Sequence, residues 1–255
     1  MLIKKAIKII QNEGWKVFSR KAIQYPFNRL RDSNLLLKLF KNQAIKKIQN
    51  LQSENQEEVF DFAWNFYFGV IRPSQIKEEF LELLNIFKEQ NPKYILEIGT
   101  ASGGTLFCFC KLAKNDATII SIDLPEGPFG GGYPEWKTII YRAFKKPNQR
   151  LFLLRMDSHK KETLEEVKKI LNGNQLDFLF IDVDHSFEGV KRDFEIYSPS
   201  VRKEGIIGFH DIIPGPIENV GGVPEFWKEI KNNFRIQEIV KDRQQGGCGI
   251  GIIIN

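Results

Sequence analysis

Six short apolar runs punctuate the chain after residue 90: Tyr94 to Ile98, Ala117 to Ile122, Arg150 to Met156, Asp177 to Ile181, Gly205 to Phe209 and Gly249 to Ile254. Nearly continuous apolar runs of this length fit strands that are covered on both faces. Between them the period changes. After Pro73, residues Ile76, Phe80, Leu83, Leu84 and Phe87 share one helical face, and Pro92 closes that helix before the first strand. Alternating strands and helices predict an α/β, doubly wound, Rossmann-like sheet. The first third reads differently. Ile3, Ile7 and Ile10 keep helical spacing, and Leu35, Leu36, Leu39 and Phe40 repeat it. We therefore expect an N-terminal helical extension over residues 1–72 and a catalytic-type domain over 73–255. Phe60, Phe62, Trp64, Phe66, Tyr67 and Phe68 crowd too closely for a solvated linker, so they pack or wall a pocket.

The first strand runs into Glu97-Ile-Gly-Thr-Ala-Ser-Gly-Gly104. Such a turn lets a ligand approach bare backbone, and the helix behind it favours polar or negative ligand groups. Dinucleotide folds place three glycines here; this chain has Glu97-x-Gly99-x-Ala101-x-Gly103, with an acid inside the motif. About 20 residues on, the second run ends in Asp123, placed to accept from ribose hydroxyls. The third ends in Asp157-Ser158-His159, the fourth in Asp182-Val-Asp184-His185, and the fifth in His210-Asp211. Ligands of open α/β sheets bind at strand carboxyl ends, so these groups are expected on one cleft.

The string Phe-Ile-Asp-Val-Asp-His-Ser-Phe-Glu-Gly-Val (180–190) followed by Gly-Ile-Ile-Gly-Phe-His-Asp (205–211) resembles the Methyltransf_24 and cephalosporin-hydroxylase-like branch of the class I S-adenosylmethionine (SAM) dependent methyltransferases. The resemblance covers roughly residues 70–255. It implies a seven-stranded, mostly parallel sheet whose last strand, here Gly249 to Ile254, is antiparallel. It also implies that SAM binds at Glu97, Gly99, Thr100, Ala101, Ser102, Gly103, Gly104 and Asp123, with Asp157 and Ser158 near the adenine. By the same resemblance Asp182, His210 and Asp211 hold a divalent cation and His185 is the general base. His210 stands where that family usually has a carboxylate, which shifts the expected ion from Mg²⁺ toward Mn²⁺. The implied activity is O-methylation of a small or sugar-containing acceptor.

Composition narrows the rest. At 255 residues and 42% hydrophobic content the chain can bury one sizeable core. Three cysteines without paired spacing point to a reducing compartment, and Cys108 and Cys110, two apart on a helix, do not share a face. No apolar run approaches the ~20 residues that span a bilayer, so a cytoplasmic protein is expected. Residues 1–50 carry twelve Lys or Arg against Glu13 and Asp32, inside a net charge of +5. A basic amphipathic arm can pack on its own domain, on a second copy in a homo-oligomer, or on an anionic membrane face. No nucleic acid is expected, because basic and aromatic residues are not interleaved there. Leu124 to Asn148, with three glycines among Phe129, Tyr133 and Trp136, reads as a lid.

Two other readings compete. Two histidines and a carboxylate can hold non-haem iron for a hydroxylase, but Glu97 and Asp123 then have no role. A non-catalytic binding partner with the same fold would have no need of His185 or Asp182.

Overall fold

A computed structural model describes residues 35–125, 132–182 and 184–255. Ile3, Ile7 and Ile10 of the basic arm, and Phe129 of the expected lid, lie outside the described residues. Seven strands form one sheet: β1 (Tyr94–Ile98), β2 (Thr118–Ile122), β3 (Arg150–Leu154), β4 (Leu176–Ile181), β5 (Val201–His210), β6 (Arg235–Ile239) and β7 (Ile250–Ile254). Their order is β3-β2-β1-β4-β5-β7-β6. All neighbouring pairs are parallel except those of β7, which runs antiparallel to both β5 and β6. The order reverses between β1 and β4, the place where open α/β sheets form their ligand crevice.

Side chains along each strand divide between two cores. Ile95, Ile119, Phe178, Phe180 and Ile206 join one apolar cluster, whereas Leu96, Ile98, Ile120, Ile122, Leu179, Ile181, Ile207 and Phe209 join the other. That period of two, with both faces covered, is why the strands read as unbroken apolar runs. The first cluster is closed by α1 (Leu35–Asn50), α2 (Gln56–Asn65), α3 (Lys77–Gln90) and α4 (Gly104–Leu112). The second is closed by α5 (Lys161–Leu171), α6 (Phe187–Tyr197) and α7 (Val223–Ile230).

The crowded aromatics before Pro73 are mostly packing. Phe60 and Phe66 are buried, and Phe62 stacks on Phe107 of α4 with ring centroids 5.3 Å apart. Phe68 alone of the six is strongly exposed, at 63%. Tyr67 and Phe68 both take positive φ, 37° and 62°. Beyond this turn residues 71–73 pass over the start of α4, where a Cβ on Gly104 would stand 2.4 Å from Pro73 N. Only glycine permits that crossing. Cys108 and Cys110 are buried in α4 as free thiols. None of the described helices is long and apolar enough to cross a membrane.

Candidate active site

The expected turn lies between β1 and α4. Gly99 and Gly103 have φ of 95° and 85°, and Ala101 is held at 42°. Asp123, at the end of β2, accepts from the Thr100 and Ala101 amides at 3.0 and 2.7 Å. The Gly132 amide donates to the same carboxylate. One acid thus ties the turn to the segment at Gly132. Burial raises its pKa, against those three amides. Tyr141 donates to Ala101 O at 2.8 Å, and its ring occupies the space a Cβ on Gly103 would need.

Other residues of the turn are engaged within the fold. The Thr100 hydroxyl pairs with Ser121, and Ser102 donates to Arg72 O, joining the turn to the crossing segment. Glu97 is fully buried; Thr105 donates to its Oε1, and its Oε2 has no hydrogen-bond partner. Burial raises the Glu97 carboxyl to about 8, against the opposing effect of the Thr105 and Thr100 hydroxyls. A buried acceptor left unmatched is uncommon in native structures and marks a place where a donor is missing.

Beyond β4 and β5 the chain brings together Asp182, His185, His210 and Asp211. His210 Nδ1 lies 3.1 Å from Asp182 Oδ1 and 3.4 Å from Asp211 Oδ2. His185 Nε2 lies 3.8 Å from Asp182 Oδ1 and 3.7 Å from Asp211 Oδ2. Its Nδ1 bonds the Asn219 carbonyl, so that nitrogen carries the proton and Nε2 faces the acids. Local caps hold the loop. Asp184 Oδ1 accepts from the Ser186 hydroxyl at 2.7 Å, and Ser186 Oγ caps α6 by accepting from Gly189 N at 3.0 Å. Asp184 therefore holds the loop together rather than joining the acid cluster.

Burial works against a charge on Asp182, but the His210 and His185 side chains override it and hold the carboxyl at about 2. Burial likewise opposes protonation of His185, and Asp182 with Asp211 overcomes it, raising its pKa. His210 follows the same balance and rises well above the usual histidine range.

Asp182, His185 and Asp211 each present one donor atom within 4.8 Å of the others, a donor set that fits a divalent cation. The expected set of Asp182, His210 and Asp211 differs in one member. His210 directs Nδ1 at both carboxylates, and it belongs to a separate donor group with Asp211 and Cys248. Asp157 and Ser158 lie in the turn after β3. Asp157 accepts from the His159 amide at 2.9 Å, and Ser158 O accepts from Tyr197 at 2.7 Å. His159 does not join the acid cluster; it pairs with the buried Asp193 of α6 at 3.3 Å.

Two residues of the site have no place in the sequence-based expectation. Gln75, at 3% exposure, donates from Nε2 to Asp182 Oδ2 at 2.7 Å, and its Oε1 is buried without a partner. It sits 107 residues from Asp182, and no local pattern marks it. Cys248 donates from its backbone amide to Asp211 Oδ1 at 3.0 Å. Its Gly-Gly-Cys-Gly setting is the one signal in the sequence that points to it.

Residues 96–212 match a family model, Methyltransf_24, described as a methyltransferase domain. An uncharacterized protein, y4gI, of Sinorhizobium fredii is 28% identical over 142 residues; the match takes in 54% of this chain and 15% of that protein. Among solved structures, an O-methyltransferase from Bacillus cereus in complex with SAH aligns with a TM-score of 0.50 at 18% identity, covering 84% of this chain and 96% of that one. The O-methyltransferase TomG from Streptomyces achromogenes, involved in tomaymycin synthesis and solved with SAM, aligns with a TM-score of 0.51 at 14% identity, covering 80% and 90%. At these identities the structural likeness concerns the fold. Residues 96–212 are thus similar to the Methyltransf_24 methyltransferase domain, on a fold shared with solved O-methyltransferases.

Proposed function

We propose that the chain is a SAM-dependent O-methyltransferase acting on a hydroxyl of a small or sugar-containing acceptor, with a divalent cation at the acid cluster. The carrying observation is the meeting of Asp182, His185 and Asp211 at the same strand ends as Glu97 and Asp123. When bound, SAM supplies a sulfonium methyl that an oxygen nucleophile takes in a single displacement. A Mg²⁺ or Mn²⁺ ion, when bound, lowers the pKa of a coordinated hydroxyl.

The chain's own residues have separable tasks. Glu97 holds its proton at neutral pH, and a cationic ligand group beside its unmatched Oε2 would favour the carboxylate there, with the turn from Gly99 to Gly104 bringing backbone close to it. Asp123 fixes that turn and lies where ribose hydroxyls bind in this fold. His185 Nε2, with its other nitrogen donating to Asn219, accepts the proton of the acceptor hydroxyl. Asp182 and Asp211 are the carboxylates that would hold the cation, with His185 Nε2 kept out of its ligand set to serve as the base, and they stabilise the imidazolium formed on His185. Positioning and charge stabilisation carry most of the catalysis in such a displacement.

The test is calorimetric titration with SAM and S-adenosylhomocysteine, with and without Mg²⁺ or Mn²⁺, using NAD as control. Micromolar binding of the SAM pair and none of NAD supports the reading; absence of SAM binding under every condition overturns it. The two histidines and two acids of the cluster also suit non-haem iron, and iron-dependent oxygen uptake would favour that hydroxylase reading instead.

A further inference from the structure

His210, Asp211 and Cys248 form a donor group beside the acid cluster, with one ring nitrogen, one carboxylate oxygen and Sγ all within 4.8 Å of one another. His210 is 6% exposed, and its Nε2 is buried without a hydrogen-bond partner. Its Nδ1 is turned to Asp182 at 3.1 Å. Asp182 and Asp211 favour the protonated ring, so an entering ion would displace the Nε2 proton, while Nδ1 keeps donating to a carboxylate, the arrangement that orients metal-bound imidazoles. Cys248 is held against this ring from the backbone, since its amide donates to Asp211 Oδ1 and its carbonyl accepts from Ile213 N, both at 3.0 Å. Cys248 and Asp211 both keep positive φ, 57° and 63°, conformations that non-glycine residues rarely adopt. Among the described cysteines, Cys108 and Cys110 are buried in the core, and Cys248 alone is part-exposed.

Sulfur and imidazole donors with one carboxylate select against Mg²⁺ and for Zn²⁺-class ions, and three protein ligands leave one position for water or a ligand. We infer that His210, Asp211 and Cys248 form a site for a thiophilic divalent ion, distinct from the oxygen-rich set proposed for catalysis. Cys248 binds as the thiolate and His210 as the neutral ring, and both protons pass to solvent as the ion enters. Asp211 belongs to both donor groups, so a soft ion here withdraws one carboxylate from the other set. Zn²⁺ therefore competes with methyl transfer while the fold stays intact.

The experiment is a Co²⁺ titration of the full chain, read by the near-ultraviolet thiolate-to-cobalt charge-transfer band. The expected result is a one-equivalent band that equimolar Zn²⁺ abolishes and that Mg²⁺ weakens only in large excess, through the shared Asp211. In Cys248→Ser the band disappears and affinity falls by at least the roughly 10–100-fold typical of losing a supporting contact. A missing band in the unaltered protein, or one that persists in Cys248→Ser, overturns the assignment. Zn²⁺ should also protect Cys248 of the unaltered protein from alkylation, read by peptide mass spectrometry; alkylation at an undiminished rate counts against the site without recourse to a variant. SAM binding measured on the same samples separates the two proposals, because loss of SAM binding with the cobalt band retained refutes only methyl transfer.

Discussion

Replacing Glu97 by Gln separates what the fold tolerates from what the ligand needs. The carboxyl is fully buried and is raised from 4.5 to about 8, chiefly by burial. Below about pH 4.5 the folded and unfolded chains both hold the proton, and the group contributes nothing to the pH dependence. Between 4.5 and about 8 the unfolded chain releases the proton and the folded one keeps it, so stability falls as pH rises. The slope is about 1.4 kcal/mol per pH unit. Accumulated to neutral pH it comes to about 3 kcal/mol, and it levels off above the folded value. Gln has nearly the same shape and no proton to lose, and the Thr105 hydroxyl can rotate to match the amide. Glu97→Gln should therefore unfold at higher urea concentration than the parent at neutral pH, with the gain shrinking toward acid. The assay is urea denaturation of both proteins at several pH values, read by circular dichroism without ligand. Parallel stability profiles for the two proteins would refute the reasoning, because they would mean that Glu97 titrates as an ordinary exposed acid. The same variant should bind SAM more weakly, the usual conflict between a prepared site and a stable one.

Other expectations follow from the same geometry. His185→Ala should lower kcat by about 10²–10⁴, the range for a general base, with SAM affinity kept; unchanged turnover would remove the base assignment. Gly103→Ala sets a Cβ 2.6 Å from the Tyr141 ring at a φ of 85°, so thermal melting should show a loss of about 1–3 kcal/mol. A Gly103→Ala melting curve that overlays the parent's would show that Tyr141 moves away freely. Gln75→Ala removes the 2.7 Å bond to Asp182 and should weaken divalent-cation binding and slow turnover while sparing SAM affinity. Cation titration and steady-state kinetics check this, and an unaltered Gln75→Ala enzyme would make that bond incidental.

Residue spacing alone marks the repeated strand–helix rhythm, the turn at Glu97 to Gly104, and Asp123, Asp182, His185, His210 and Asp211 at strand ends. All of these are local signals. A strand covered on both faces must be apolar throughout, a tight turn needs positive φ, and the residue that ends a parallel strand lies on the ligand edge. The edge strand β6, Arg-Ile-Gln-Glu-Ile, gave no such signal, because its half-exposed alternation is weaker than a buried run. Which strand-end groups meet depends on how the elements pack. That packing divided the three histidines, sending His159 to Asp193 of α6 and leaving His185 and His210 between Asp182 and Asp211. It brought Gln75 to Asp182 and Cys248 to Asp211, pairs 107 and 37 residues apart. It also buried Glu97 with one oxygen unmatched. Contacts of that kind depend on how separate elements cross and on what is left unpaired once they do, and neither is written in the spacing of residues along one element.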